Sequence, residues 1–431
     1  MVVLISAIAC IGTVIVALLK PQIKIRGYDF SIFYMPALAG ALTLMVFGLL
    51  PLPEVMHGLT ADTDINPLKI LVLFLSMTLL SIFLDETGFF KYLANYAVQR
   101  CGGKQINLFV IFYCMVSALT VFTSNDVVIL TFTPFICYFS KNANIDPMPY
   151  LISEFVAANT ASMFLIIGNP TNIYLGTMAG IDFFSYLKVM ALPTLFATII
   201  AFVVLYVIFA NKLKQKIYVT VENVIIKQKL LLAWGLIVLS ICTFLLVISG
   251  FIETPMWKIS FCGFCSLLFG VLLISLFKRR KPIELIRTIV RTPWEVIPLV
   301  LSMFIIVLSL EYTGATGRIA NFLNSGNTLF SYGIASTIIA NLINNIPMSV
   351  LFSSLIVVGG QDEIATYATI IGSNIGAYLT PIGALAGVMW LGILRNQGIQ
   401  LSFGKFVAYG VCVAVPTLVG ALVGLMIFVE W

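Results

Sequence analysis

Charge is scarce in this chain, and histidine is nearly absent. Of 431 residues, 10% are Asp, Glu, Lys or Arg, and His57 is the single histidine. A soluble domain carries about 25% charged residues. The shortage excludes a cytosolic enzyme, a nucleic-acid binder and a disordered regulator, and one histidine excludes a multi-histidine metal site. No GxxxxGK[ST] loop occurs, so the chain itself does not hydrolyse ATP. It offers no pair of catalytic carboxylates and no Ser/His set, so neither an enzyme nor a cofactor is expected. The eight cysteines are scattered, nearly all through apolar runs, where a thiol acts as a small hydrophobe. Cys262 and Cys265 form a CxxC inside an apolar helix with no second pair, and read as packing rather than as a zinc or redox site.

Apolar residues dominate instead. Hydrophobic side chains make up 60% of the chain, and mean hydropathy is +1.07. One chain cannot bury that much apolar surface within itself, so lipid must solvate much of it. Spanning candidates recur at roughly 2–19, 28–50, 68–84, 147–180, 184–210, 230–250, 257–277, 295–310, 364–395 and 404–429. The first lacks a basic leader and a cleavage site, and reads as a retained helix rather than a signal peptide. Two stretches, 105–140 and 328–358, differ. Each has two apolar arms around a polar centre, TSND at 123–126 and NNIP at 344–347. An arm of about 15 residues rises about 22 Å, short of the ~30 Å hydrocarbon core, so both read as re-entrant hairpins. The predicted fold is an all-α polytopic membrane protein of about ten transmembrane helices plus two re-entrant hairpins.

Basic residues orient this fold. One face collects 20 of the 24 Lys and Arg, from Lys20, Lys24 and Arg26 through the 212–229 and 278–291 clusters to Arg395 and Lys405. The opposite face keeps Lys69, Lys188, Lys258 and Arg318, with acids such as Glu54, Asp62, Asp64, Asp362 and Glu363. The positive-inside rule makes the rich face cytoplasmic. Both termini then lie outside. The first hairpin opens to the cytoplasm and the second to the outside. A repeat supports this layout: FLDETGFFKYLANY at 83–96 matches SLEYTGATGRIANF at 309–322. The chain divides into a first repeat (1–213), a basic cytoplasmic linker (214–229) and a second repeat (230–431). Each repeat holds five helices and one hairpin, in inverted topology. Inverted repeats with broken helices signal a secondary transporter.

The candidate site lies where polar residues interrupt apolar helices. After each hairpin comes such a helix: AANTASMFLIIGNPTNI (157–173) and IGSNIGAYLTPIGALAG (371–387). Aligning Asn159 with Asn374 also aligns Gly168 with Gly383. Pro170 and Pro381 remove helical N–H groups, and the two glycines permit backbone conformations that other residues avoid. Carbonyls and amides freed there cannot face lipid, so they line protein or a wet cavity. Carbonyl ends and Ser or Asn oxygens suit a cation, and helix N-termini suit an oxyanion or a hydroxylated solute. Candidate binding residues are Ser124, Asn125, Asp126, Asn159, Gly168, Asn169, Thr171, Asn172, Asn344, Asn345, Asn374, Thr380 and Gly383. Asp126 is singled out. A carboxylate near mid-membrane is costly unless paired or protonated, which suits a proton site or, with Ser124 and Asn125, a transient sodium site. Helix capping is its alternative. Glu154 reads either as a transport residue or as a side chain snorkelling to the interface. Asp85 and Glu311, at helix ends, read as capping or interface residues. No resident metal is expected.

These residues resemble those of arsenite permeases of the ArsB/NhaD type, within the ion transporter superfamily. The similarity covers essentially the whole chain and is best at LDETGFF (84–90), SNDVVILTFTPF (124–135), NNIP (344–347) and GSNIGAYLTPIGALAGVMWL (372–391), with Trp390 trailing. Two positions depart from the arsenite pattern. Asn159 stands where those permeases tend to carry Asp, and GNPTNI (168–173) stands where they tend to read SNLVNI. The resemblance implies a pump in which two hairpin tips and two broken helices enclose solute and coupling ion. It also implies a homodimer, an external ATPase subunit and an elevator-like motion as family options. The expected function is secondary active transport of a small inorganic solute across the plasma membrane, first arsenite or antimonite efflux coupled to the proton or sodium gradient. The alternatives are sodium/proton antiport and sodium-coupled dicarboxylate or inorganic anion transport. Partners are the solute, the coupling ion and lipid, with no nucleic acid.

Overall fold

A computed structural model of the chain describes residues 1–19, 22–25, 28–61, 66–217, 226–360 and 363–429. The expectations placed on Lys20, Arg26, Asp62, Asp64, Asp362 and linker residues 218–225 lie outside the described residues. The first part of the chain runs α1 (Val2–Leu19), β1 (Gln22–Ile25), β2 (Tyr28–Ser31), α2 (Met35–Val46), α3 (Leu52–Thr60), α4 (Pro67–Glu86) and α5 (Phe89–Arg100). It continues with α6 (Gln105–Phe122), α7 (Asn125–Asn142), α8 (Met148–Ala161), α9 (Pro170–Met178) and α10 (Phe183–Phe209). The second part runs α11 (Lys229–Val247), α12 (Met256–Phe277), α13 (Ile283–Arg291), α14 (Val296–Tyr312) and α15 (Ala315–Asn324). It ends with α16 (Thr328–Ile343), α17 (Asn345–Val358), α18 (Glu363–Gly376), α19 (Leu385–Asn396) and α20 (Phe403–Val429).

Among the described residues, seven helical segments are long and apolar enough to cross a membrane. The fold is that of a nearly all-helical, multi-pass membrane protein. Outward faces show why lipid is its solvent. Leu195, Ile199, Val203 and Val207 on α10 are exposed, as are Val411, Val415, Val419 and Val423 on α20. Four-residue spacing puts each set on one helix face, and apolar stripes of that length are not left to water. Three expectations are corrected. The run at 28–50 begins as strand β2, paired antiparallel with β1, and α2 has only 12 residues. Pro36 opens that helix, and Gly48, at φ +65°, ends it. The first hairpin is longer than expected, because α6 and α7 have 18 residues each and rise about 27 Å. Cys262 and Cys265 are exposed on α12 rather than packed.

Helices α11–α20 follow the same order as α1–α10. The shared TG motif shows the cause. Thr87 ends α4 and Gly88, at φ 85°, opens α5, while Thr313 ends α14 and Gly314, at φ 69°, opens α15. Only glycine takes that conformation cheaply. Packing is paired in the same way. Helix α2 lies on α14 and α12 on α4; α7 lies on α19 and α17 on α9; α8 lies on α10 and α18 on α20. Charge sorts to opposite ends of α4. At its start, Lys69 lines a cavity of about 240 Å³ with Asp182, Glu253 and Trp257. At its end, Asp85 is 2.8 Å from the Arg291 guanidinium, which also binds Glu86. Asp85 is thus an ion-pair residue, while Glu311 accepts from Ser354 Oγ at 3.2 Å.

Helices α10 and α20 pack closely because small residues face the contact. A Cβ added at Gly424 would lie 2.7 Å from the Phe196 ring and 3.0 Å from Pro193 Cα. Gly424→Leu should therefore destabilise the protein by about 1–3 kcal/mol, read as a lower melting temperature in detergent. An unchanged melting curve would mean that these helices do not meet there.

Candidate functional site

Both helix breaks are built by residues that let the chain fold back on itself. Helix α8 stops at Ala161, a 3-10 turn covers Ile166–Gly168, and α9 starts at Pro170 with Asn169 as its cap. In the second half α18 stops at Gly376 and α19 starts at Leu385. Neither Gly168 nor Gly383 has a positive φ, so conformational freedom is not why glycine stands there. A Cβ on Gly168 would run into the Ser162 carbonyl. One on Gly383 would run into the Gly376 carbonyl and lie 2.9 Å from Asn341 Oδ1. The glycines are there because backbone crosses backbone.

Four side chains then tie the two breaks together. Asn374 Oδ1 accepts from Asn169 Nδ2 at 2.8 Å and lies 2.9 Å from Ser162 Oγ, whose single proton the Asn159 carbonyl also faces at 2.8 Å. Its Nδ2 donates to Asn172 Oδ1 at 2.7 Å and to the Ile370 carbonyl at 2.8 Å. Asn172 Nδ2 in turn donates to the Ser162 carbonyl at 2.8 Å, which satisfies a group freed by the break. Asn169 Oδ1 also accepts from the Thr171 N–H and hydroxyl, both at 3.1 Å. Asn374, Asn172 and Asn169 are fully buried or nearly so. None of these partners is charged. Residues more than 200 positions apart thus share one hydrogen-bonded cluster.

Each hairpin tip is bonded to a broken helix of its own half. Asn125 Nδ2 donates to Asn159 Oδ1 at 3.0 Å. Asn344 Nδ2 donates to the Ile382 carbonyl at 3.0 Å, and Asn345 joins only through its backbone N–H, 3.1 Å from the Gly383 carbonyl. Asn344 holds φ 75° with ψ 154°, outside the left-handed helical region that asparagine tolerates and in one nearly confined to glycine, so this tip is strained. Among the described residues Thr380 is hydrogen-bonded to neither tip; its hydroxyl donates to Asn341 Oδ1 at 2.6 Å. A cavity of about 10 Å³ beside Asn344, Pro347 and Ile382 has room for about one water.

Asp126 stands in the first turn of α7, half-buried, with no hydrogen bond or ion pair among the described residues. Beside it, Ser124 Oγ and Asn125 Oδ1 are buried without a partner, and so is Ser373 Oγ on α18. Buried polar oxygens are normally satisfied, and these three lie on the first hairpin tip and on the helix that enters the second break. Among the described residues, no group of three His, Cys, Asp or Glu is close enough to hold a metal. Glu154 is corrected: it is buried to 1% exposure and does not reach the interface, because α6, α7, α10 and α18 pack around α8. Sequence reasoning missed Asn341, which accepts from Thr380 and donates to the Thr337 and Gly376 carbonyls. Its signal was its place one turn before Asn344. It also missed Ser162, Ser373 and Tyr378, whose hydroxyl accepts from Thr160 at 3.3 Å.

Paired broken helices around a polar, uncharged centre, inside an apolar bundle, define a membrane transporter rather than an enzyme. The citrate transporter family (CitMHS) matches residues 32–367, and the chain belongs to that family. It is 26% identical over 377 residues to the arsenical pump membrane protein of Escherichia coli K12, covering 82% of this chain and 84% of that one. A putative arsenical pump membrane protein of Bacillus subtilis is 23% identical over 437 residues, covering 92% and 95%. Among solved structures, the fold is similar to the YdaH transporter of Alcanivorax borkumensis, with TM-score 0.55 and 15% identity over 100% of this chain and 97% of that one. It is also similar to MtrF of Neisseria gonorrhoeae, with TM-score 0.54 and 12% identity over 99% and 94%.

Because Gly168 and Gly383 are held by backbone contact, even alanine should be excluded. Gly168→Ala and Gly383→Ala should each lower transport by about tenfold or more while membrane insertion persists, the misfit costing about 1–3 kcal/mol. Flux and melting temperature measured together check this. Wild-type flux in both variants would show that the crossings are not needed.

Proposed function

We propose that this transporter exports arsenite and antimonite across the plasma membrane by secondary active transport, using the proton or sodium gradient. The observation that carries the reading is the cluster joining Asn169, Asn172, Ser162 and Asn374, built wholly from amides and hydroxyls. At neutral pH arsenite is mostly an uncharged trihydroxide. Amide and hydroxyl groups both donate to and accept from such a solute, whereas a citrate-like polyanion would call for cationic side chains. The arsenical-pump relatives point the same way. Ser124, Asn125 and Asp126 serve the coupling ion in this reading, because a carboxylate and two unpartnered oxygens match a proton or a small cation.

The reading includes two inverted repeats, 1–213 and 230–431, joined by the cytoplasmic linker, with both termini outside. Helix α4 runs from the Lys69 cavity to the Arg291 cluster, while α14 starts just after Arg291, so matching helices run in opposite senses. Helices α6/α7 and α16/α17 are the two polar-tipped hairpins, of which α16/α17 keeps the short arms of a re-entrant one. The second reading, sodium/proton antiport, is favoured by one observation, the unpaired Asp126 beside two orphaned oxygens.

Proteoliposome flux separates these readings. Under imposed proton or sodium gradients, arsenite or antimonite should be driven across the membrane, and citrate should neither be carried nor compete. Citrate flux, or cation exchange with no arsenite flux, would overturn the proposal. Asp126→Asn keeps the side chain's shape and removes its charge. Gradient-driven accumulation should fall about tenfold further than solute exchange. If Asp126 only caps α7, Asn substitutes well, and Asp126→Asn should pump like the parent. Cysteine labelling tests the topology. The 212–216 and 278–291 segments should label from the cytoplasm, and 52–60 from outside. One side for all three would end the inverted-repeat reading.

A further inference from the structure

A second carboxyl lies deep in the bundle, away from the hairpin tips. Glu154 sits in α8, and both its oxygens meet one partner, Thr133 Oγ on α7, at 3.0 and 3.1 Å. The same hydroxyl is 2.6 Å from the Ile129 carbonyl. A threonine hydroxyl has one proton to give. The shorter contact, to a carbonyl that can only accept, claims that proton. Thr133 Oγ then has only lone pairs to offer Glu154. Two oxygens carrying lone pairs repel unless one of them brings a proton, so the carboxyl must supply it. The chain of donors runs from the Glu154 O–H to Thr133 Oγ and from the Thr133 O–H to the Ile129 carbonyl.

No cation relieves this site. Among the described residues Glu154 is in no ion pair, and the ionisable group on a neighbouring helix that interacts with it is the Cys137 thiol of α7. An isolated carboxylate there would be costly. One unused donor does stand close. The Trp390 indole of α19 packs on Phe155 with ring centroids 5.1 Å apart and lies beside the Glu154 carboxyl. Its buried N–H meets hydrogen-bond geometry with no partner. Trp390 follows the second break, and Glu154 precedes the first.

We propose that Glu154 is a second proton-binding site of the transport cycle, protonated against Thr133 in the conformation described. When the two broken helices shift and water reaches the carboxyl, the O–H bond breaks and the proton leaves to that water. The carboxylate left behind is then held by the Thr133 hydroxyl and the Trp390 indole N–H. This rests on the reading of the chain as a gradient-driven pump, and it adds a proton carrier that spans both breaks.

Infrared difference spectroscopy of the purified full chain, recorded between acid and alkaline buffers without solute, reads this site directly. The parent should show the C=O band of a protonated carboxyl. The band should vanish in Glu154→Gln, persist in Asp126→Asn, and shift in Thr133→Val and in Trp390→Phe. In proteoliposomes, Glu154→Gln should lower proton-driven flux about tenfold more than solute exchange. A set of carboxyl bands unchanged in Glu154→Gln, or with none moved in Thr133→Val, would overturn the proposal. So would full proton coupling in Glu154→Gln. Because the band is read without solute, it decides for Glu154 even if the carried solute is not arsenite.

Discussion

Backbone groups freed inside a membrane have to be satisfied by the protein, because lipid offers no partner. The structure turns on how this chain meets that demand at its two breaks. Asn172 takes the Ser162 carbonyl, Asn341 takes the Gly376 carbonyl, and Asn344 takes the Ile382 carbonyl. In each case an asparagine amide bonds a backbone carbonyl close to a gap between helices. The remaining amide groups then bond one another across the molecule, and Asn374 is their common partner. Removal of any one amide would leave a buried group unpaired, at a cost of about 1–3 kcal/mol.

The same demand limits how the molecule can move. A cluster without charges can exchange its partners at modest cost, because amides and hydroxyls both donate and accept. Lipid-facing stripes on α10 and α20 place no polar obstacle to sliding, while the Arg291 contacts with Asp85 and Glu86 fix one end of α4 to α13.

Much of this was legible in the sequence, for physical reasons. Pro170, Pro381, Gly168 and Gly383 stand out because apolar helices rarely carry them together. The TG motifs at 87–88 and 313–314 reveal matching turns because only glycine fits the left-handed conformation. Polar tips at Ser124–Asp126 and Asn344–Asn345 are visible against apolar arms. Other features depend on tertiary packing and were hidden. No spacing predicts that Asn374 meets Asn169 and Asn172, since the contact joins distant segments. Glu154 reads equally as a transport residue or an interfacial acid until α7 and α19 close over it. Apolar content alone could not show that 28–50 opens with a strand, or that α6 is long enough to span.

The central claim is that the breaks of both halves meet at Asn374 to form one solute site beside the first hairpin tip. Anomalous scattering from crystals of the full chain soaked with antimonite tests it most directly. The account predicts an antimony peak in contact with the Ser124–Asp126 tip and the Asn169, Asn172 and Asn374 amides, with those amides turned from one another toward the solute. An antimony peak confined to the cavity lined by Lys69, Asp182 and Glu253, with the asparagine cluster unaltered, would contradict it.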